Sequence, residues 1–237
     1  MRPTALVTGA GRGIGRAVAD ALTRDAWVAT IDLRFPDEAA KAHHGVEADV
    51  TREEEVEQAV DTIVRERGGL DWLVCAAGIV RDRVSWKMST EDWDDVLRVN
   101  LSGAFHVVRA AAPYLRRSPQ GRVVFLSSIN GLRGKFGQAN YAASKAGLVG
   151  LARTLALEFA RDDVTVNVVA PGFIDTAMTR GLPDAARRRA VERTPLGRTG
   201  TAEDVAAAVH FLCSDGAAFI TGAVLPVDGG QLLGAVS

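Results

Sequence analysis

Two side chains four residues apart, Tyr141 and Lys145, are the groups in this sequence whose spacing most directly suggests chemistry. On a helix, positions four apart lie on one face, about one turn from each other. A phenol titrates near ~10, and an adjacent ammonium group favours the phenolate and lowers its pKa. Such a pair can donate a proton to a forming alkoxide or remove one from an alcohol. The same spacing also occurs on ordinary solvated helices, so its meaning depends on the rest of the chain.

A glycine-rich segment near the N-terminus suggests a phosphate site. It reads Thr-Gly-Ala-Gly-Arg-Gly-Ile-Gly over residues 8–15, after a strand-like run and before a helix pattern. Gly9 can form the tight turn, Gly13 lets the backbone approach a pyrophosphate, and Gly15 lets helix and strand pack closely. The helix N-terminus would then face the anion. We predict a dinucleotide cradle made of Gly9, Gly11, Arg12, Gly13, Ile14 and Gly15.

Asp32 bears on the choice of dinucleotide. It ends the second strand-like run, where a carboxylate can accept hydrogen bonds from the adenosine ribose hydroxyls and would repel a 2′-phosphate. NAD(H) is therefore the favoured cofactor. Arg12 and Arg34 could each contact a 2′-phosphate, which leaves NADP(H) open. The alternative for Asp32 is a turn or helix-capping residue.

The elements that must position these residues form an alternating pattern. Apolar, mostly β-branched runs alternate with helix patterns, which favours βαβ units and a parallel sheet covered on both faces. The candidate strands are Ala5–Thr8, Trp27–Asp32, Gly45–Ala48, Leu70–Ala76, Gly121–Ser127, Val164–Val169 and Ala223–Val227, and the helix patterns lie near 13–24, 52–67, 91–117, 139–161 and 202–213. We predict a single α/β domain over 1–237, a doubly wound Rossmann fold with a mostly parallel seven-stranded sheet.

A segment at about 173–196 interrupts this pattern. It contains a Thr-Ala-Met-Thr-Arg run, a Gly-Leu-Pro turn and a short basic helix pattern. Long segments in compact folds are often functional, so this one is either a lid over a substrate site or a surface excursion.

Composition excludes several classes of function. The chain has 237 residues, 47% of them hydrophobic, and a formal net charge of −1, which argues against a nucleic-acid binder. Its apolar runs are too short to span a membrane. Cys75 and Cys213 lie in apolar surroundings and are expected to be free thiols, which fits a cytoplasmic protein. The four histidines form no ligand spacing, so no metal site is predicted.

With these motifs the chain resembles the short-chain dehydrogenase/reductase family over nearly all its length. The glycines of residues 9–15 match the family's cradle, and Cys75-Ala76-Ala77-Gly78 resembles its Asn-Asn-Ala-Gly segment with both asparagines replaced. The resemblance adds Asp49, Val50, Ala77, Gly78, Tyr141, Lys145, Pro171, Gly172, Ile174 and Thr176 to the cofactor contacts. It identifies Asn100, Ser128, Tyr141 and Lys145 as a catalytic tetrad.

The resemblance implies a mechanism. Hydride passes between the nicotinamide and a substrate carbonyl carbon while Tyr141 supplies or accepts the proton. Ser128 hydrogen-bonds the carbonyl oxygen, and Lys145 lowers the pKa of Tyr141 and holds the nicotinamide ribose. Asn100, in the middle of a long helix, positions a water that connects Lys145 to solvent. Ser127 is expected to point the other way and is not assigned a role.

The subgroup that the chain most resembles is the 3-oxoacyl thioester reductases, linked to CoA or to acyl carrier protein (ACP). Gln138, Phe136 and Phe173 are expected to contact the substrate, and Trp86, Leu132 and Met178 to extend an apolar wall. The acidic pair Asp162-Asp163 and Asp32 depart from an NADPH-dependent ACP reductase, so an NAD-dependent 3-hydroxyacyl-CoA or ketone enzyme is favoured. That ACP reductase is the alternative, and a non-catalytic NAD(P)-binding subunit is a third. A homotetramer is expected, with small-molecule substrates and neither nucleic acid nor membrane as a partner.

Overall fold

The computed structural model describes residues 2–36, 43–181 and 183–234. Its centre is a seven-stranded sheet of order β3-β2-β1-β4-β5-β6-β7, in which every neighbouring pair is parallel. The strands are β1 (Thr4–Thr8), β2 (Trp27–Asp32), β3 (Gly45–Glu47), β4 (Trp72–Cys75), β5 (Arg122–Leu126), β6 (Thr165–Pro171) and β7 (Val224–Val227). The predicted single doubly wound α/β fold is confirmed, and the sheet is parallel throughout.

Helices cover both faces of this sheet. They are α1 (Gly13–Leu22), α2 (Glu53–Arg67), α3 (Thr90–Leu97), α4 (Gly103–Leu115), α5 (Ile129–Arg133), α6 (Ala139–Phe159), α7 (Ala177–Arg180), α8 (Asp184–Glu192) and α9 (Ala202–Cys213). One apolar cluster lies between the sheet and α2, α4 and α6, and a second lies under α1 and α9. Because both faces are covered, every residue of β1, β5 and β6 is buried, which explains why their sequences are mostly apolar.

The prediction of a single long helix near 91–117 is wrong in one respect. The structure divides it into α3 and α4, joined by a π-helical turn at Arg98–Ser102. A π turn inserts one extra residue into the helical repeat and often occurs at functional positions. Asn100 is the buried residue of this turn. Hydrophobic periodicity does not reveal such an insertion, because the apolar face resumes after it.

The segment at 173–196 folds into the two short helices α7 and α8. Asp175 pairs with Arg180 of α7 at 3.1 Å and with Arg187 of α8 at 3.5 Å. Both arginines lower the pKa of the Asp175 carboxyl, chiefly through the hydrogen bond from Arg180. Arg180 and Arg187 are therefore paired with Asp175, which belongs to the same segment.

The two cysteines are free and buried on opposite faces of the sheet, Cys75 in the α2/α4/α6 cluster and Cys213 in the α1/α9 cluster. Burial raises the pKa of each thiol to about 12. Among the described residues, no helix has the length and apolar character needed to cross a bilayer. Over those same ranges, no three His, Cys, Asp or Glu side chains come together as metal ligands would.

Candidate active site

A cleft of about 520 Å³ opens at the carboxyl ends of the strands, where the strand order reverses between β1 and β4. The chain leaves β1 and β4 toward opposite faces of the sheet, and doubly wound folds bind ligands in the crevice this creates. The cleft contains most of the predicted residues at once: Gly9, Arg12, Gly13, Ile14, Gly15, Asp32, Asp49, Val50, Ala77, Gly78, Tyr141, Lys145, Pro171 and Thr176.

The glycine cradle is held together by two close backbone approaches. Gly9 has a φ of 69°, and a Cβ there would lie 2.6 Å from main-chain atoms of Ala77. A Cβ on Gly15 would lie 2.2 Å from the carbonyl oxygen of Gly9. The turn, α1 and the loop after β4 can come this close only because both positions lack side chains.

Gly13, unlike Gly9 and Gly15, has open space around it. Its φ is 59°, and the atom nearest to an added Cβ, in Thr176, is 3.9 Å away. The backbone therefore faces open cleft at the start of α1. The first turn of α1 carries no acidic side chain, whereas that of α2 carries Glu53, Glu54 and Glu55. An exposed helix N-terminus without a competing carboxylate suits a pyrophosphate, so the residues present fit a dinucleotide.

Gly11, one of the predicted cofactor contacts, is hydrogen-bonded to Asp32. Its N–H donates to Oδ2 of Asp32 at 2.8 Å, and it does not line the cleft. A Cβ at this position would lie 2.9 Å from the carbonyl oxygen of Arg34. Gly11 therefore fixes the carboxylate of Asp32, which does face the cleft.

Gly172 and Ile174 also lie outside the cleft lining. A Cβ on Gly172 would lie 2.7 Å from Asp228, so this glycine serves the packing between the loop after β6 and the turn after β7. The Ile174 side chain is 4% exposed and belongs to the α1/α9 core. Only its main chain remains available to a ligand.

The cleft also contains positions that were not assigned to the cofactor, although Ile79, Val80, Arg81 and Ala177 belong to segments that the sequence suggests for the substrate pocket. These unassigned positions are Leu33, Ala48, Thr51, Ala76, Ile79, Val80, Arg81, Asp95, Arg98, Val99, Leu126, Ser127 and Ala177. Most lie at a strand end or within about six residues of one, and in a parallel sheet all strands end at the same edge. That position alone could have identified them, whereas Asp95, Arg98 and Val99 depend on the turn between α3 and α4.

Lys145 and Tyr141 project from α6 into this cleft. The Lys145 side chain is buried, and its Nζ donates to the main-chain oxygen of Leu126 at 2.8 Å. Burial lowers the pKa of Lys145 to about 8. Its Nζ lies 5.7 Å from the centroid of the Tyr141 ring. The pair therefore has the predicted proximity, with an ammonium that loses its proton more readily than a free lysine.

The predicted lowering of the Tyr141 pKa is wrong in direction. Burial raises the pKa of the phenol, and this is the largest effect on it. Hydrogen bonding with the Ser128 hydroxyl lowers the pKa, and the Asp82 carboxylate raises it. The opposing interaction thus comes from Ser128 rather than from Lys145, and the phenol keeps its proton at neutral pH.

Ser128 follows β5 and caps the N-terminus of α5. Its Oγ accepts a hydrogen bond from the N–H of Asn130 at 3.1 Å. That bond occupies a lone pair and leaves the hydroxyl proton free to be donated. The adjacent Ser127 also lines the cleft, and its hydroxyl donates to the main-chain oxygen of Lys145 at 2.7 Å. One serine thus faces the phenol, and the other holds α6 against the strand end.

The side chain of Asn100 forms hydrogen bonds with the loop after β4. Its Oδ1 accepts from the N–H of Ile79 at 2.8 Å, and its Nδ2 donates to the carbonyl of Ile79 at 3.0 Å. Nδ2 also donates to Oγ of Ser144 on α6 at 3.2 Å. The amide therefore joins three segments of the cleft wall, and its contacts in the structure are to protein groups.

Gln138 is a further correction, since it was expected to touch substrate. It is 5% exposed, its Nε2 donates to both carboxylate oxygens of Asp82 at 3.0 and 2.9 Å, and its Oε1 accepts from Asn130 at 3.1 Å. Both ends of the amide form hydrogen bonds, so Gln138 connects the loop after β4 to the start of α6.

Of the side chains expected to form an apolar substrate wall, those that the structure describes are not part of the cleft lining. Phe136 is 82% exposed and Trp86 is 74% exposed, and their rings meet edge to face at 6.5 Å between centroids. Leu132 is also exposed, while Phe173 is half-buried. The side chain of Met178 lies outside the described part of the structure. Trp86 and Phe136 therefore form an exposed aromatic pair.

Comparison with known proteins agrees with this geometry. Residues 9–231 match a family model described as Enoyl-(Acyl carrier protein) reductase. The chain is 43% identical to the 3-oxoacyl-[acyl-carrier-protein] reductase MabA of Mycobacterium tuberculosis, over 97% of this chain and 92% of that protein. It is 43% identical to the 3-oxoacyl-[acyl-carrier-protein] reductase FabG of Escherichia coli over 97% of both, and 41% identical to that of Thermotoga maritima over 96% and 97%.

Identity of this extent, over a chain that also has the fold and the cleft, decides the class of protein. It is an oxidoreductase that acts on an alcohol and carbonyl pair with a nicotinamide cofactor. The chain belongs to the short-chain dehydrogenase/reductase family.

Proposed function

We propose that the protein interconverts 3-oxoacyl and 3-hydroxyacyl thioesters with NAD(H), and that the preferred thioester is CoA-linked. The observation that carries this proposal is the convergence of Tyr141 and Lys145 on the cleft that Gly13 and Asp32 also line. A proton donor and a dinucleotide cradle in one crevice are the two parts that carbonyl reduction requires.

Each residue then has a role at the reacting carbonyl. The nicotinamide group supplies or accepts the hydride when it is bound. Tyr141, which keeps its proton at neutral pH, donates that proton to the substrate oxygen during reduction. Ser128 donates its free hydroxyl proton to the same oxygen and stabilises the negative charge that develops there. Lys145 supplies positive charge beneath the phenol and contacts the ribose, and Asn100 positions the loop after β4.

The preference for NAD(H) rests on Asp32. Its carboxylate is fixed by the N–H of Gly11 and retains free lone pairs for two ribose hydroxyls. A 2′-phosphate placed at the same point would meet this negative charge. The exposed Arg12 and Arg34 are the residues that would favour NADP(H).

A second candidate is an NADPH-dependent 3-oxoacyl-ACP reductase, because the curated relatives carry that ACP activity in their names. The Asp162-Asp163 turn argues against docking of an acidic carrier protein. Asp162 is paired with Arg116, which reduces this repulsion without reversing it. The exposed arginines of α8, Arg187, Arg188 and Arg189, are the basic groups that CoA phosphates would meet.

The deciding experiment compares NADH and NADPH against acetoacetyl-CoA, acetoacetyl-ACP and a simple cyclic ketone. We expect the highest kcat/KM for acetoacetyl-CoA with NADH. A preference for NADPH together with the ACP thioester would establish the second candidate instead. Turnover of the cyclic ketone alone would remove thioesters from the proposal.

We also propose that the segment at 173–196 is a substrate lid and that the chain forms a homotetramer through α4 and α6. Phe105 on α4 and Leu157 on α6 are large apolar side chains that are 42% and 81% exposed. Gly150 on α6 has open space where its Cβ would lie, which suits close helix packing. Small-angle scattering of the purified protein tests the assembly, and a monomeric mass would refute it.

A further inference from the structure

Gln231 lies in the turn after β7, and both ends of its side-chain amide are bound to the proposed lid. Its Oε1 accepts a hydrogen bond from the N–H of Phe173 at 3.2 Å. Its Nε2 donates to the carbonyl of Ala190 at 3.4 Å. Phe173 begins the 173–196 segment and Ala190 lies in α8, so one buried side chain joins two distant points of that segment.

The main chain of Gln231 extends this connection to α5. Its carbonyl oxygen accepts a hydrogen bond from Nη1 of Arg133 at 3.2 Å. Arg133 is the last residue of α5, the helix that Ser128 caps. Through Gln231, the helix beside the phenol and the segment at 173–196 are therefore held in one arrangement.

The turn itself is held in place independently. Asp228 accepts from the N–H of Gly230 at 2.9 Å and from that of Leu232 at 2.8 Å. Gly229 and Gly230 have φ values of 61° and 88°. A Cβ on Gly229 would lie 2.7 Å from Thr194, so the turn is in direct contact with the end of the 173–196 segment. Gln231 is thus presented from a rigid support rather than from a free C-terminal tail.

We propose that Gln231 is a positioning residue that sets Phe173 and α8 over the substrate side of the cleft and so determines the apparent affinity for the acyl substrate. The substrate part of this inference rests on the proposed function. The amide of Gln231 can accept from Phe173 and donate to Ala190 at once. Methionine has nearly the same length and can do neither, whereas glutamate retains the acceptor alone.

Trypsin cleaves after arginine, so the arginines of the lid allow its release to be measured by tryptic digestion. The arginines of the segment are Arg180, Arg187, Arg188, Arg189 and Arg193. Loss of both hydrogen bonds predicts that trypsin cuts the lid roughly tenfold faster in Gln231→Met. Gln231→Glu should be intermediate. Gln58→Met, an exposed position on α2, is the matched control and should behave as wild type.

Kinetics separate positioning from general stability. In Gln231→Met, KM for acetoacetyl-CoA should rise about tenfold, while kcat changes less and the Kd for NADH is unchanged. Wild-type rates of lid cleavage with an unchanged KM would overturn the inference. So would equal losses of thermal stability and NADH affinity with no faster lid cleavage. Cleavage needs no turnover, so a wild-type enzyme inactive on thioesters would refute the proposed function and leave the digestion to decide the role of Gln231.

Discussion

The Nζ atom of Lys145 donates a 2.8 Å hydrogen bond to the main-chain oxygen of Leu126. Leu126 ends β5 two residues before Ser128, and Lys145 lies on α6 one turn after Tyr141. This bond therefore fixes the distance between the serine and the phenol. It also keeps a buried ammonium group in the cleft floor, where burial lowers its pKa to about 8.

The lowered pKa of Lys145 predicts the pH dependence of reduction. Burial disfavours the charged amine, so the ammonium loses its proton as the pH rises through about 8, well before a free lysine would. Tyr141 remains protonated over this range because burial raises its pKa. We expect kcat/KM for reduction to be constant at neutral pH and to fall above about 8 with one deprotonation.

Replacing Lys145 by arginine tests whether Lys145 causes the fall of kcat/KM at alkaline pH, here called the limb. An arginine stays charged throughout, so a Lys145→Arg enzyme should lose the limb even if its activity is lower. A limb that persists unchanged in Lys145→Arg would assign the titration to another group. Measuring kcat/KM from neutral to alkaline pH with both enzymes distinguishes the two cases.

Removal of the phenol should abolish proton transfer and spare cofactor binding. Tyr141→Phe deletes one hydroxyl group, and we expect kcat to fall by about 10²- to 10⁴-fold while NADH binds normally. The other tyrosine offers a matched control. Tyr114 is remote from the cleft and hydrogen-bonds Asp61 at 3.0 Å, so Tyr114→Phe should keep its activity. Comparable rates in the two variants would disprove the role of Tyr141.

Neutralising Asp32 should change the choice of dinucleotide. Asp32→Asn keeps the shape of the side chain but removes the charge that repels a 2′-phosphate and strengthens the ribose contacts. With charge-assisted bonds of about 1.5–3 kcal/mol at stake, NADH affinity should drop roughly 10- to 100-fold relative to NADPH. Titration of both cofactors measures this ratio, with the remote Asp25→Asn as control. An unchanged ratio would show that Asp32 does not select the cofactor.

Residues whose function follows from local backbone geometry could be predicted from the sequence. Gly9, Gly13 and Gly15 are such residues, because the turn between a strand and a helix restricts each to one purpose. Residues whose partners are distant in sequence could not. Gln138 was expected at the substrate, yet it is held by Asp82, 56 positions earlier, and Gln231 reaches Phe173, 58 positions earlier.

The pKa of Tyr141 shows the same limit for electrostatics. The spacing of Tyr141 and Lys145 correctly predicted proximity, since four residues make about one helical turn. The net direction of the shift depends on how deeply the phenol is buried, which the packing of the whole cleft decides. The π turn at Asn100 was missed for a related reason, because its stabilising contacts come from Ile79 and Ser144 on other elements.

The cradle makes a prediction about stability that does not depend on substrate. An alanine at Gly15 would place its Cβ 2.2 Å from the carbonyl oxygen of Gly9, a backbone atom that cannot move without opening the turn. Such overpacking costs about 1–3 kcal/mol, which corresponds to a Tm lower by roughly 2–12 °C for a chain of this size. Gly69 has nothing within 4 Å of an added Cβ and no positive φ, so Gly69→Ala is the matched control and should melt as wild type. Thermal melts at one protein concentration compare the two variants, and equal Tm values would mean that the turn and α1 are not packed as tightly as described.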